Sequence, residues 1–172
     1  MWPKSFWYKV YEPFIRKAAG LGVASIKHDK ERYEHKYEYC DLLVTGSGPS
    51  GLASAYAAAK NGARVILAED KARFGGSLLT GEVNIGNQSG KDWADGIIAE
   101  LKGMKNVTVK NRSQVFGYYD HNMLVMSERL SDHLPKTKKF HPKQRLWYIR
   151  ANEVLISSGS IERPIVFGNN DT

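Results

Sequence analysis

Val44-Thr45-Gly46-Ser47-Gly48-Pro49-Ser50-Gly51 is the stretch that decides how this chain folds. Just before and into it, Asp41-Leu42-Leu43-Val44-Thr45 is a short apolar run that stops at a glycine, the pattern of a buried parallel strand. After it, Pro49 to Asn61 is rich in alanine, opens on proline and closes on Asn61-Gly62, which reads as a helix. Ala63-Arg64-Val65-Ile66-Leu67-Ala68 is then a second buried strand that ends at Glu69. Strand, glycine turn, helix and strand within about 30 residues make a βαβ unit.

Each glycine of the turn has a separate task. Gly46 permits the tight exit from the strand, Gly48 removes a side chain where a pyrophosphate meets backbone, and Gly51 lets helix and strand lie close. The helix start then offers unpaired N–H groups and partial positive charge to a diphosphate. Ser47, Pro49 and Ser50 complete the loop. Glu69 falls where a carboxylate can accept hydrogen bonds from ribose hydroxyls, with Asp70 as the competing candidate. A carboxylate there repels a 2′-phosphate, so NAD or FAD is favoured over NADP. Gly75-Gly76-Ser77 and the strand end Ser157-Ser158-Gly159 add two further places where backbone can approach a dinucleotide.

Outward from this unit, Lys91 to Lys102 reads as a helix with Trp93, Ala94, Ile97, Ile98 and Leu101 at helical spacing. Asn106–Lys110 is a third parallel strand. Gln114–Tyr119, Met123–Glu128 and Arg145–Arg150 are three antiparallel strands, and Glu153–Ser157 is a separate buried strand. The expected fold is α/β: a Rossmann-like, FAD/NAD(P)-binding sheet of the glutathione-reductase type, with a small antiparallel meander and an incomplete parallel sheet. The expected organisation is an N-terminal linker or docking segment over 1–39, with one helix over Glu12–Gly20, Pro13 in its first turn and Gly20 as its C-cap, and a charged connector over 27–39. A dinucleotide-binding domain, truncated at its C-terminus, follows over 40–172. An incomplete sheet leaves an unpaired edge, which favours aggregation.

The bulk properties narrow the class. The 172 residues are 42% hydrophobic and 25% charged, enough for one sizeable core. No run approaches the roughly 20 apolar residues of a membrane helix, and the aromatic, charged start has no apolar leader core. The lone Cys40 reads as a structural thiol, and a cytoplasmic location is expected. Net charge is +7, with much of the excess between Lys136 and Arg150. Only Phe140, Trp147 and Tyr148 accompany it, so no nucleic-acid surface is expected. The histidines (His28, His35, His121, His133 and His141) show no metal-ligand spacing, and His121 reads as a turn residue. Ser47 and Ser50 lack the frame of a nucleophile elbow. No catalytic residue is assigned.

Several stretches carry a family resemblance. Tyr11 to Gly22, Phe74-Gly75-Gly76-Ser77-Leu78-Leu79, Val115 to Asn122, Glu128 to His133, Ile161 to Phe167 and Asn169-Asn170-Asp171 resemble the alpha subunit of heterotetrameric sarcosine oxidase. The resemblance covers essentially the whole chain. It implies an oxidoreductase acting on CH–NH donors, with NAD held in this region, FAD possible here, and flavin (FMN or FAD) on a partner subunit. It also implies beta, gamma and delta subunits and the remainder of the alpha subunit as partners. That alpha subunit is several times longer, so the chain is read as a fragment not catalytic alone. Thr45, Ser47 and Ser50 stand where the family more often has Val, Gly and Ala. The alternatives are a related amine or opine dehydrogenase subunit and a non-catalytic docking fragment.

Overall fold

The computed structural model describes residues 4, 6–22, 26–135 and 140–160. The expectations placed on 161–172, Arg163-Pro164 included, and on Lys136, Lys138 and Lys139 lie outside the described residues. The chain divides into two units, Met1–Lys30 and Glu31–Thr172.

In the first unit a π-helical turn, Trp7–Tyr11, runs into helix α1, Glu12–Ala18. Pro13 lies in the first turn, where its missing N–H would have had no partner. Gly20 has φ +67°, and its N–H reaches Lys17 O at 3.2 Å while that of Leu21 reaches Arg16 O at 3.0 Å. This is the double closure that a left-handed glycine after the last turn allows. The helix ends at Ala18, and Gly20 closes it as the capping glycine expected of it.

The second unit runs β1 (Tyr33–Thr45), α2 (Pro49–Lys60), β2 (Val65–Ala68), the short pair β3 (Asn84–Ile85) and β4 (Gln88–Ser89), α3 (Gly90–Gly103), β5 (Val107–Lys110), β6 (Ser113–Tyr119), β7 (Met123–Arg129) and β8 (Gln144–Ile156). Six strands form one sheet in the order β5-β2-β1-β8-β7-β6. The first four are parallel, and their third-second-first-fourth order is that of a dinucleotide-binding half. The βαβ unit forms where the sequence places it, with Leu42 beside Val65 and Thr45 beside Ala68. α3 starts at Gly90 because Ser89 Oγ accepts the Asp92 N–H at 3.1 Å, capping the helix.

Two expectations are corrected. The stretch 27–39, read as a connector, is strand from Tyr33 onward, paired with Gln144–Arg150. Its charges, Glu34, Lys36 and Glu38, alternate with residues that are not simply apolar, and this hid it, but a strand held by backbone bonds to one neighbour needs no apolar face. This moves the start of the sheet unit from residue 40 to Glu31. The strands read as Arg145–Arg150 and Glu153–Ser157 are one strand, β8, ending at Ile156. The intervening Ala151-Asn152 breaks the apolar pattern and not the backbone. Asn152 Nδ2 donates to Tyr39 Oη at 3.1 Å and to Asp41 Oδ1 at 3.2 Å, so a polar residue is satisfied in mid-strand. As a result the meander is no separate layer: β8 pairs with β1 parallel and β7 antiparallel, and the sheet is continuous.

Two apolar clusters form the core. Val44, Leu52, Ala55, Leu67, Ala94 and Leu101 pack β1 and β2 against α2 and α3. Leu43, Ile66, Leu124, Met126, Trp147 and Ile149 pack together, with Cys40 among them. Cys40 is wholly buried, and burial pushes its thiol up to about 12, so it is the inert structural thiol expected. Among the described residues of the basic stretch, Arg145 is paired internally. Arg145 lies 2.8 Å from Glu34 and 3.1 Å from Glu128, and the Trp147 indole N–H donates to Glu128 at 2.7 Å. No helix among the described residues is long and apolar enough to cross a membrane.

Candidate dinucleotide site

The site lies at the C-terminal ends of the parallel strands, where an open α/β sheet binds ligands. Leaving β1, Gly46 adopts φ +98°, and its N–H donates to Ala68 O at 2.8 Å. A Cβ on Gly46 would run into the carbonyl of Ser157, and one on Gly51 into the carbonyl of Gly46. Gly48 differs. Its φ is −67°, and a Cβ there meets nothing within 4 Å. Gly48 begins α2 with no side-chain cap, and Pro49 follows as the first helical residue. The first-turn amides of α2 have no acceptor within the helix. That helix start borders a cavity of about 800 Å³ lined by Gly46, Gly48, Glu69, Gly76, Phe116 and Ser157, among others.

Ser47 ties this loop together. Its side chain is fully buried. Its N–H donates to Glu69 Oε2 at 2.9 Å, and its hydroxyl donates to the same oxygen at 2.5 Å. Its hydroxyl and carbonyl oxygens both accept the Gly75 N–H, at 3.1 and 3.0 Å. The residue that stands where a glycine is more usual thus joins three segments of the site. Gly76, at φ +54°, lies so close that a Cβ would come within 2.9 Å of Gly48 Cα. Ser157 Oγ donates to the Thr45 and Gly46 carbonyls at 3.0 and 2.9 Å, fastening the end of β8 to the loop.

Glu69 is 6% exposed, and Lys71 N–H also donates to it, at 3.0 Å. Burial pushes its carboxyl up, but the Ser47 hydroxyl and the Lys71 and Ser47 amides outweigh that and hold it below the ordinary value of 4.5. Asp70 is exposed at the cavity rim and is pushed the other way, by burial of its carboxyl and by its bond to Glu69. A carboxyl with a depressed folded value stabilises at neutral pH and loses that contribution as pH falls through the folded value. Glu69→Gln is therefore expected to lower stability by about 1–3 kcal/mol at pH 7. The gap from wild type should narrow in thermal melts taken below pH 4.5, the ordinary value. A gap unchanged between neutral and acid pH would refute the ionised contact.

Of the sequence-predicted residues, Gly46, Ser47, Gly48, Pro49, Ser50, Glu69, Asp70, Gly76, Ser77 and Gly159 all border the one cavity. Gly51 and Gly75 stand behind it as packing positions. Sequence reasoning missed the far wall, Ser113 to Tyr118 of β6, where the register shifts between Val115 and Gly117 and Phe116 is left exposed. A hairpin directly after the third parallel strand was the signal available. His121 has φ 58° in the turn between β6 and β7, its carbonyl accepting Arg150 Nη1 at 3.2 Å, which suits the turn role expected of it. Among the described residues no group of His, Cys, Asp and Glu could hold a metal.

A family model described as FAD dependent oxidoreductase matches residues 41–137. The chain belongs to the FAD dependent oxidoreductase family. Within it, the chain is similar to the sarcosine oxidase subunit alpha of Rhizobium meliloti (strain 1021), 46% identical over 171 residues, which are 99% of this chain and 17% of that protein. It is similar also to the sarcosine oxidase subunit alpha of Corynebacterium sp. (strain P-1), 42% identical over 155 residues, covering 88% of this chain and 16% of that one. The chain thus spans about a sixth of the length of these relatives. Among solved structures, L-proline dehydrogenase from P. horikoshii superimposes with a TM-score of 0.61 at 19% identity, over 85% of this chain and 27% of that one. That likeness shows the fold of the family, a Rossmann-like sheet, in agreement with the expected class.

Proposed function

We propose that this chain is the dinucleotide-binding part of a cytoplasmic oxidoreductase subunit akin to sarcosine oxidase alpha. In this reading it serves oxidative demethylation of sarcosine in a multi-subunit flavoenzyme, beside beta, gamma and delta subunits and further alpha-subunit sequence. The carrying observation is the uncapped start of α2 at Gly48, open to the cavity where Gly46, Gly51 and Gly76 are packed shut. The first-turn amides would hold the diphosphate, and the rim carboxylates Glu69 and Asp70 the adenosine ribose. Glu69 already holds Ser47 and Lys71, so it also positions the loop, and Asp70 is the freer of the two acceptors.

NAD is the dinucleotide proposed, on the strength of the resemblance to the alpha subunit. The family description favours FAD, and the two share the adenosine diphosphate half that these residues would touch. Either one supplies hydride chemistry that no side chain here can supply. The chain's own residues bind, orient and exclude the 2′-phosphate. Titration of the full chain with NAD, FAD and ADP-ribose, followed by tryptophan fluorescence, is the test. Saturable binding of ADP-ribose and NAD is expected, with NADP at least tenfold weaker. Saturation by FAD alone would replace NAD with FAD, and saturation by none would overturn the reading.

A further inference from the structure

Val115, Phe116, Gly117 and Tyr118 of β6 all border the dinucleotide cavity. Three of them have structural work. Val115 opposes Met126 and packs against the second apolar cluster. Gly117 opposes Val125 and leaves room for the Tyr119 ring, which a Cβ there would approach within 2.6 Å. Tyr118 Oη donates to Asn122 Oδ1 at 2.8 Å. The register shifts between Val115 and Gly117, so Phe116 opposes no residue of β7. It is 58% exposed, and no ring stacks on it among the described residues. Bulges recur beside binding sites, where they re-aim a side chain. A bare phenyl beside a cavity is an apolar face that a flat ring can cover.

The position of Phe116 along the cavity names that ring. Ser113 N–H donates to the Glu69 carbonyl at 2.8 Å, so β6 begins beside the strand end that carries Glu69 and Asp70. Phe116 follows about 10 Å along, at a rise of about 3.3 Å per residue. A ribose held at those carboxylates carries its purine outward, and purine and phenyl together span that gap. The diphosphate belongs at the start of α2, and the second ring of the dinucleotide lies beyond it, away from the carboxylates. The base that reaches β6 is the adenine.

Resting on the dinucleotide reading, we propose that Phe116 is the platform on which the adenine ring stacks. The phosphate loop and the carboxylates hold diphosphate and ribose by polar contacts. Phe116 adds an apolar face for the base, and it does so from a strand outside the βαβ unit.

The test is calorimetric titration of the full chain with ADP-ribose. Phe116→Ala is expected to weaken binding roughly tenfold or more, the loss typical of one base–aromatic stack. Phe116→Leu, apolar but without a π-face, should lose at least about fivefold, and Phe116→Trp should stay within about threefold of wild type. Saturating Phe116→Trp with ADP-ribose should also quench more tryptophan emission than in wild type, since the new indole lies under the base. Inorganic pyrophosphate, which has no base, should compete equally well in wild type and Phe116→Ala. Equal losses for ADP-ribose and pyrophosphate would mean that Phe116 acts through the shape of the loop, and the platform would be refuted. ADP-ribose binding to Phe116→Ala within about twofold of a saturable wild type would refute it too, while leaving the dinucleotide reading intact. A wild type that ADP-ribose does not saturate would remove both.

Discussion

Gly48→Val is expected to abolish dinucleotide binding while leaving the fold intact. The two halves of that result come from one geometric fact. A Cβ on Gly48 meets no protein atom within 4 Å, and φ there is −67°, a value any residue adopts. Valine thus fits the folded chain, at a cost no greater than a poorer N-cap, about 1 kcal/mol or less. The open space it enters is the space in front of the helix start. Isopropyl groups there would cover the first-turn amides and keep a diphosphate from reaching them. A loss of at least about 100-fold in affinity, close to 3 kcal/mol, is expected in the fluorescence titration. The thermal midpoint should move by only about 2–4 °C. Affinity within threefold of wild type would show that the dinucleotide, if bound, does not use this helix start.

The same loop shows what the sequence makes legible. Gly46, Gly48 and Gly51 in a strand–turn–helix frame, with Glu69 at the next strand end, suffice for the βαβ unit and most of the cavity rim. Those residues act through backbone geometry, and glycine spacing records backbone geometry directly. The charged half of β1 and the middle of β8 were not legible, because they are held by each other across more than a hundred residues and carry charged or polar side chains among the apolar ones. Ser47 was legible only as a small residue. Its role depends on Glu69 and Gly75 arriving beside it, which no local pattern records. The family resemblance reached further than the motif in naming a relative. The full length of β1 needed the structure, since the sequence placed a connector there.

Gly51→Ala is expected to destabilise the protein by about 3 kcal/mol, near the upper end for overpacking a tight site. A chain of this length loses about 2–4 °C per kcal/mol, so the midpoint should fall by roughly 10 °C. The reason lies in what the added methyl would meet. It would overlap the Gly46 carbonyl and come within 2.5 Å of Ser157 Oγ. The carbonyl is backbone and cannot swing away. It also accepts the Ser157 hydroxyl that fastens β8 to the loop, so relief requires α2 to lift from β1 and β8 together. Gly96 in α3 is the control. It is exposed, and a Cβ there meets nothing within 4 Å. In that helix interior Gly→Ala should stabilise by up to about 1 kcal/mol, by removing the backbone freedom that glycine carries into the unfolded chain. One substitution made in two helices is thus expected to change stability in opposite directions, and only helix–strand packing distinguishes the sites. Equal shifts of the same sign in thermal melts would mean that α2 does not lie against the strand ends as closely as Gly51 requires.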